Sequence, residues 1–380
     1  MDKKKLSPAI NPIDVLDNAS PTFYNRLKGV FKTRAWYKGL KFARIPFQHL
    51  LLIIGSLFFL LPFLWMLSTA LKSDLDLFRQ PPTWLPYDFK NVQVNGKPLP
   101  LYNVTVDNVT RQLAMVSMTK GEGVFVDPAN PGVQLKVRSK FATPILVVSL
   151  RWKNFADAMS AAVNMGSGIT FLTFAKNSLV ISFFSIIGTL ISCTTAAYAF
   201  ARIRWPGRDI LFVVVLATMM LPFQVTMIPL YIFFGKIGWI NTYYPLIVPQ
   251  FFGNAFMIFL LRQFFRTIPE EMCDAARVDG ASEWQIFTQI VLPLSKPVLA
   301  TVTVFTFLWT WNDFMGPLLY LNNPKLFTMA LGLQAFQGRH NVAWNLLMAA
   351  SVAFTLPIII AFFFAQRTFI EGVKMTGLKE

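Results

Sequence analysis

Six long stretches almost free of charged side chains restrict this chain to a membrane-spanning fold. They cover residues 45–71, 177–201, 210–235, 237–261, 297–321 and 341–366. Asp313 is the one Asp, Glu, Lys or Arg within them, and each can cross about 30 Å of hydrocarbon as a helix. Because unpaired backbone groups are costly in lipid, we predict an all-α polytopic membrane protein with six transmembrane helices.

The distribution of basic residues predicts the orientation of these helices. Residues 1–44 contain ten Lys or Arg and only three Asp. Arg202, Arg204 and Arg208 share one short loop, whereas Lys236 lies in the next loop along the chain. Since Lys and Arg accumulate on the cytoplasmic side, both termini are expected in the cytoplasm. The net charge of +16 then reflects the basic residues on the cytoplasmic side of the membrane, and no nucleic-acid partner is expected.

The segment between the first two predicted helices, residues 72–170, falls on the outer face in this topology. Its middle, about residues 87–150, alternates apolar and polar residues between turn signals. These signals are Asn-Gly at 95–96, Asp-Pro at 127–128 and Asn-Pro-Gly at 130–132. We therefore predict a β-rich extracytoplasmic insertion between transmembrane helices 1 and 2.

The chain is thus divided into five predicted parts. They are a basic cytoplasmic extension (1–44), a first transmembrane helix (45–71), the outer segment (72–170), a core with five transmembrane helices (171–370) and a cytoplasmic tail (371–380).

The cytoplasmic loop 267–297 has the pattern of helix, turn and helix. Thr267 and Ser282 each have Glu or Gln three residues later, which is typical of a capping box at a helix start. Gly280 between them suits the left-handed residue that closes a first helix, and Pro293 is expected to end the second.

The apolar residues of this loop allow two interpretations. Met272, Ala275, Ala276, Trp284 and Phe287 could pack on the ends of the transmembrane helices. They could instead form a surface that a partner's groove receives. The pattern alone leaves both open.

The loop resembles the EAA motif of the membrane-spanning permease subunits of ATP-binding cassette importers. That motif reads E-A-A, three residues, G, nine residues and I-x-L-P, and this chain follows it from Asp274 to Pro293 with Asp in place of the first Glu. In that family the loop is the coupling helix, which contacts the ATPase subunit. The resemblance implies an ATPase-coupling role for Glu271, Asp274, Ala275, Ala276, Asp279, Gly280, Ile290 and Pro293.

Other segments resemble the carbohydrate-importer branch of that family, the maltose-transporter type with the type I importer permease fold. They are residues 310–321, 328–338 and 366–379, together with 81–86 and 152–159, which the insertion separates here. The resemblance extends from about residue 45 to the end of the chain. It implies a bacterial inner-membrane subunit that translocates a sugar or oligosaccharide.

The same resemblance implies the partners. They are a second permease subunit in a heterodimer, two ATPase subunits that hold ATP and Mg, an extracytoplasmic sugar-binding protein and the lipid bilayer. This sequence contains no G-x-x-x-x-G-K-[ST] and no H-E-x-x-H, so no catalytic residue, metal or cofactor is expected in this chain. We expect the insertion either to contact the binding protein or the second permease, or to be a passive elaboration.

Five polar or aromatic residues within the spans form a candidate substrate path. Asn312, Asp313 and Gln224 could hydrogen-bond sugar hydroxyls, and Trp309 and Trp311 could offer ring faces to a pyranose. Alternatively, Asp313 caps a neighbouring helix and the tryptophans belong to an interfacial belt. A second function is a self-contained secondary transporter with Asp313 as its proton-coupling acid, although no inverted repeat is apparent.

Overall fold

A computed structural model describes residues 34–106, 109–119, 121–160, 169–337 and 342–376. Its α-helices are α1 (Arg34–Ala70), α2 (Asp74–Leu77), α3 (Lys153–Ser160), α4 (Phe171–Arg202), α5 (Arg208–Thr218), α6 (Phe223–Lys236), α7 (Tyr244–Ile247), α8 (Ala255–Phe265), α9 (Glu270–Val278), α10 (Glu283–Gln285), α11 (Leu292–Leu294), α12 (Lys296–Asn312), α13 (Met315–Tyr320), α14 (Met329–Leu333) and α15 (Trp344–Thr376). Short 3₁₀ segments cover Ser139–Phe141, Val248–Phe252, Pro324–Leu326 and Gln334–Phe336, and a π-helix covers Ile286–Val291.

The chain forms two compact units, Met1–Leu64 and Trp65–Glu380, and the boundary lies within α1. The described part of the first unit is a single helix whose apolar side chains are exposed, such as Phe58 and Phe59. A helix that is apolar all round is suited to lipid. It begins at Arg34, eleven positions before the predicted span at residue 45.

Four described segments are long and apolar enough to cross a membrane: Pro46–Ala70, Phe171–Arg202, Tyr244–Phe265 and Trp344–Gln366. Two helix pairs also qualify but are bent, α5 with α6 by 94° and Glu283–Leu294 with α12 by 78°. The described helices therefore provide four spans, or six if each bent pair counts as one.

The bend between α5 and α6 lies at a proline. Pro222 precedes α6 with an extended backbone, φ −67° and ψ 140°, and residues 219–221 form a turn. Proline cannot donate a backbone hydrogen bond and disfavours the helical conformation of the residue before it, so the helix breaks there.

α4 is the central helix of the second unit. It packs against α8, α12 and the 3₁₀ segment Val248–Phe252. Towards one end of α4, Cys193, Ala197 and Tyr198 contribute to a large buried cluster, and towards the other end Phe171 and Phe174 contribute to a second cluster.

The predicted β-rich insertion is confirmed. Its strands are β1 (Tyr87–Phe89), β2 (Asn91–Val94), β3 (Lys97–Val106), β4 (Val109–Thr119), β5 (Glu122–Asp127), β6 (Asn130–Arg138), β7 (Ala142–Pro144) and β8 (Leu146–Val148). Strands β2 to β6 form an antiparallel sheet in sequence order, β7 pairs with β3, and β1 pairs with β8. Tyr102, Val104, Leu113 and Phe125 form the buried core of this sheet.

Two of the three predicted turns are present. Asn95 and Gly96 have positive φ angles of 52° and 76° and join β2 to β3, as expected for an Asn-Gly hairpin. Asp127 accepts a hydrogen bond from the Ala129 N–H, 2.9 Å, in the turn between β5 and β6. The third prediction is wrong, because residues 130–132 lie in β6, where an irregular register in an edge strand accommodates the proline.

The insertion begins and ends at one place. The Ser149 N–H donates to the Pro86 carbonyl, 3.1 Å, and Arg151 pairs with Asp88, 2.6 Å. The amide of buried Asn154 in α3 donates to two carbonyls at the end of α1. Backbone and side-chain bonds therefore hold the base of the sheet to the helical part of the second unit.

Candidate functional site

One face of loop 267–297 is packed into the helical core. Cys273, Ile286, Phe287 and Val291 are buried, and they share a cluster with residues of α4, α8 and α12. Phe287 lies 5.0 Å from Tyr198 of α4, measured between ring centroids. The packing interpretation therefore applies to this inner face.

The opposite face of the loop is open to solvent. Val278 is 88% exposed, Trp284 is 65% exposed and Met272 is 44% exposed. Glu271 and Ala275 lie on the exposed part of α9 as well. Exposed apolar side chains grouped on one face and rimmed by polar residues are typical of a protein interaction surface, so this face is suited to a partner.

Arg277 connects the two short helices of the loop. Its Nε donates to Glu283 Oε1, 2.8 Å, and its Nη1 donates to Asp274 Oδ1, 2.6 Å. The Tyr198 hydroxyl donates to the other oxygen of Glu283, 2.6 Å, which ties α10 to α4. We call Tyr198, Asp274, Arg277 and Glu283 the loop hub.

Their mutual attraction shifts the pKa values of Glu283 and Arg277. The hydrogen bond from Arg277 holds the pKa of Glu283 below its usual range, although partial burial opposes the shift. The same bond raises the pKa of Arg277, with a further contribution from Asp274. Arg277 and Glu283 therefore form an ion pair at neutral pH.

Gly280 forms the turn between the helices. Its φ is +84°, and the Ala281 N–H donates to the Ala276 carbonyl, 2.9 Å, across the turn. A Cβ atom at this position would meet nothing within 4 Å, so backbone conformation rather than space requires the glycine. The predicted bend is present.

The predicted capping boxes have different outcomes. Ser282 and Gln285 form one with both reciprocal hydrogen bonds. The one predicted at Thr267 is wrong, because α9 begins after Pro269 and the Thr267 hydroxyl donates to the Phe264 carbonyl, 2.7 Å. A hydrogen bond from Arg204 to Glu270, 3.2 Å, instead links the start of α9 to the end of α4.

The remaining loop residues occupy different environments. Ala276 and Ile290 are half-buried against the core cluster, whereas Asp279 is exposed at the end of α9. Pro293 does not end the second helix as predicted: the helical run continues to Leu294 and ends at Ser295. Pro293 lies in the last turn of this run, directly after the π-helix Ile286–Val291.

A cavity of about 810 Å³ lies between α4, α6, α7, α12 and α13. Its polar lining includes Gln250, Thr310, Asn312, Asp313 and Tyr320. Much of the rest is apolar, including Phe223, Phe234 and Leu246. A concave apolar pocket with a few polar groups is typical of a small-ligand site.

Three of the five candidate path residues line this cavity: Trp309, Asn312 and Asp313. Asp313 follows the last residue of α12, and its Oδ1 accepts a hydrogen bond from the Gly316 N–H, 3.0 Å. A Cβ atom on residue 316 would collide with this carboxylate, so the absence of a side chain at Gly316 leaves room for it in this position. Trp309 is half-exposed and contacts Phe256.

Trp311 and Gln224 do not line the cavity. Trp311 is 1% exposed, its Nε1 donates to the Phe354 carbonyl, 3.1 Å, and its ring stacks on Phe307 and Phe354. It therefore has no free face for a ligand. Helical periodicity explains the difference, because residues two apart point to nearly opposite sides of a helix. Gln224 is exposed on α6 outside the lining.

Comparison with known proteins identifies the family. The profile of the binding-protein-dependent transport system inner membrane component matches residues 188–375. The arabinooligosaccharides transport system permease protein AraQ of Halalkalibacterium halodurans is 36% identical over 207 residues, 54% of this chain and 74% of the relative. The chain belongs to this family of transport permeases. The match includes loop 267–297 and most residues that line the cavity.

Two further proteins resemble this permease. The osmoprotective compounds uptake permease protein GgtD of a Synechocystis species is 32% identical over 262 residues, 68% of this chain and 86% of the relative. A crystal structure of a bacterial ABC transporter involved in the import of the acidic polysaccharide alginate aligns with a TM-score of 0.59. The alignment covers 88% of this chain and 98% of the transporter chain at 19% identity. This similarity shows a shared fold.

The sequence of the permease did not reveal the loop hub. The spacing of Arg277 and Glu283 across the Gly280 turn could have suggested their pairing, since the turn returns the chain on itself. Tyr198 lies 85 residues before Glu283, and no local pattern indicates that contact. Gln250 and Tyr320 of the cavity were missed for the same reason.

Proposed function

We propose that this chain is a transmembrane permease subunit of an ATP-binding cassette importer that translocates a sugar or oligosaccharide. An extracytoplasmic binding protein delivers the sugar, and partner subunits hydrolyse ATP. The observation that carries the proposal is loop 267–297: its motif spacing matches the family, its inner face is locked to α4, and its outer face is exposed.

The carbohydrate substrate is supported by a relative and by the cavity. AraQ is named as a permease for arabinooligosaccharides. Asn312, Thr310 and Gln250 offer the hydrogen-bonding groups that sugar hydroxyls need, and Trp309 offers an exposed ring. Trp309, Asn312 and Asp313 form the revised substrate path, from which Trp311 and Gln224 are omitted.

The proposed topology has six spans: the four long segments, the bent pair of α5 and α6 counted once, and α12 without residues 283–294, which belong to the loop. The termini and loop 267–297 lie in the cytoplasm, and the β-rich insertion lies on the outer face of a bacterial inner membrane. The basic residues of positions 1–44 support this orientation. Residues 1–33 and 377–380 lie outside the described residues.

The loop provides a mechanical route from an ATPase to the cavity. Glu271, Ala275 and Asp279 are exposed and would contact the ATPase, and Gly280 would hold the bend. Asp274 would position Arg277 rather than reach across the interface, because it already pairs with it. A force on α10 would pass through the helical run that contains Ile290 and Pro293 into α12.

α12 ends at the cavity, so a displacement of the loop would reach Trp309 and Asn312 directly. Such a rigid-element shift could switch the cavity between outward and inward access. Nucleotide on the partner would supply the differential affinity that the switch requires.

The proposed assembly contains this chain, a second permease as a heterodimer, two ATPase subunits with ATP and Mg, and the binding protein. Catalysis, metal and cofactor sites belong to the partners, and no nucleic acid is involved. The insertion would contact the binding protein or the second permease. The alternative, a self-contained proton-coupled transporter that uses Asp313, is not favoured by the family to which the chain belongs.

The test is affinity purification from native membranes followed by an ATPase assay. We expect an ATPase and a second permease to co-purify. Gly280→Val should lower ATPase activity, because a β-branched residue at positive φ costs about 1–2 kcal/mol and would depopulate the turn about 5- to 30-fold.

Gly280→Asn is the matched control. Asn tolerates the left-handed conformation, so it should retain most of the activity. A chain that purifies alone and transports sugar into liposomes without ATP would contradict the proposal.

A further inference from the structure

The charge of the cavity is carried by one side chain. Asp313 is half-buried and follows α12, where the chain turns into α13. Among the described residues that line the cavity, none is Lys, Arg or His. The negative charge of Asp313 therefore has no cationic partner in that lining, and it dominates the local potential.

The turn holds the carboxylate in place. The Gly316 N–H donates to Asp313 Oδ1, 3.0 Å, which fixes the orientation of the carboxylate. Gly316 has no side chain, and any Cβ there would press on the carboxylate and on Leu246. The turn therefore holds the carboxylate at the cavity wall.

A fixed charge next to apolar walls acts strongly on a charged ligand. Phe223, Phe234 and Leu246 line the same cavity and keep the local dielectric constant low. For a dielectric constant between that of water and that of a protein surface, a unit charge about 6 Å away changes the affinity or the reaction rate of a second charged group by roughly tenfold. An uncharged sugar experiences no such penalty and can donate hydroxyl hydrogen bonds to the carboxylate.

We propose that Asp313 is a charge filter that excludes anionic sugars, such as sugar phosphates and uronic acids, and restricts the cargo to sugars without negative charge. This inference rests on the proposed function, because it assumes that the cavity is the sugar path. Asp313 is thereby a specificity-determining residue, and its role differs from proton coupling.

The first experiment measures the potential without any transport. The chain has two cysteines, Cys193 and Cys273, and both are buried. They are changed to Ala, and Asn312→Cys then introduces a single thiol of this chain at the cavity. The purified complex with its partner subunits is reacted with trimethylammonioethyl and sulfonatoethyl methanethiosulfonate. Gln224→Cys, at an exposed position on α6, is the control outside the cavity.

We expect the cationic reagent to be favoured at position 312 by roughly tenfold relative to a free thiol. Asp313→Asn, which can still accept the Gly316 hydrogen bond, should abolish this preference, and Asp313→Glu should retain it. At position 224 the Asp313 substitutions should have no effect. An unchanged preference at 312 in Asp313→Asn would overturn the proposal.

The second experiment compares uptake of arabinotriose and of a mannuronic acid trisaccharide by the reconstituted importer with its binding protein. Asp313→Asn should raise the ratio of acidic to neutral uptake by roughly tenfold, and Asp313→Glu should leave the ratio low. A ratio that does not rise would also overturn the filter. If the wild-type complex hydrolyses ATP but takes up no sugar, the proposed function fails, and the reagent preference still decides whether Asp313 sets the cavity charge.

Discussion

At the scale of single residues, two ionisable sites are held by a neighbouring charge or by a backbone amide. Arg277 lies between two carboxylates, and Asp313 is bonded to a backbone N–H. The two sites have different consequences. In the loop hub the charges compensate each other and fix a shape, whereas in the cavity the charge remains available to a ligand.

The loop hub should make stability depend on pH. Because Arg277 lowers the pKa of Glu283 in the folded protein, its ionised form stabilises the loop above the ordinary pKa of glutamate, about 4.3. That contribution is lost as pH falls through the lowered pKa. Glu283→Gln should therefore lower the melting temperature near neutral pH, with an effect of at most about 1 kcal/mol because the pair is partly exposed.

Thermal melting of the purified complex at a series of pH values measures this difference. The gap between wild type and Glu283→Gln should narrow below about pH 4. A gap that stays constant over the whole range would show that the charge of Glu283 does not stabilise the loop.

At the scale of elements, small residues decide how closely helices approach α4. The Met329 N–H of α14 donates to Ser178 of α4, 2.8 Å, and Gly332 lies against the ring of Phe174. Phe174 is fully buried and contacts Phe171 and Phe327, so it has little room to move. This contact requires a residue without a side chain.

Gly332→Ala should therefore destabilise the protein. The added methyl group would overlap the Phe174 ring, and overpacking of this kind costs about 1–3 kcal/mol. Gly235→Ala in α6 is the control, because its Cβ would meet only Ile240 at 3.9 Å and Ala favours a helix over Gly. A lower melting temperature for Gly332→Ala alone would agree with this, and equal melting temperatures would contradict it.

At the scale of the whole molecule, the β-rich insertion has its own core and is attached to the helical part at its base. Pro86 and Ser149 are joined by a backbone hydrogen bond, so the two ends of the insertion are already adjacent. The sheet also has its own core around Phe125. Removing the sheet should leave the ends of the flanking chain close enough to be joined.

Replacement of residues 87–148 by a Gly-Gly linker should preserve folding and basal ATPase activity. If the insertion receives the binding protein, stimulation by that protein and sugar uptake should fall to background. Loss of the second permease during purification would instead place the contact there. Unchanged uptake and assembly would show that the insertion is a passive elaboration.

The amino-acid sequence determined the features that depend on neighbours along the chain. The Asn95-Gly96 hairpin, the Gly280 turn and the Ser282 capping box follow from short-range sterics and hydrogen bonding, and the apolar stretches follow from local composition. A β-rich insertion could be predicted for the same reason, since alternation and turn signals are local. The motif spacing of loop 267–297 likewise predicted an ATPase-coupling region, which stays a prediction.

Only the tertiary structure decided which side chains meet. Trp309 faces the cavity and Trp311 faces the core, because α12 is packed on both sides. The apolar sequence of α12 would fit either orientation, so it does not indicate which tryptophan faces the cavity. The hydrogen bond between Tyr198 and Glu283 depends on packing between distant segments. Long-range contacts leave no periodic signal in a sequence, because the free energy that selects them arises only when the helices pack.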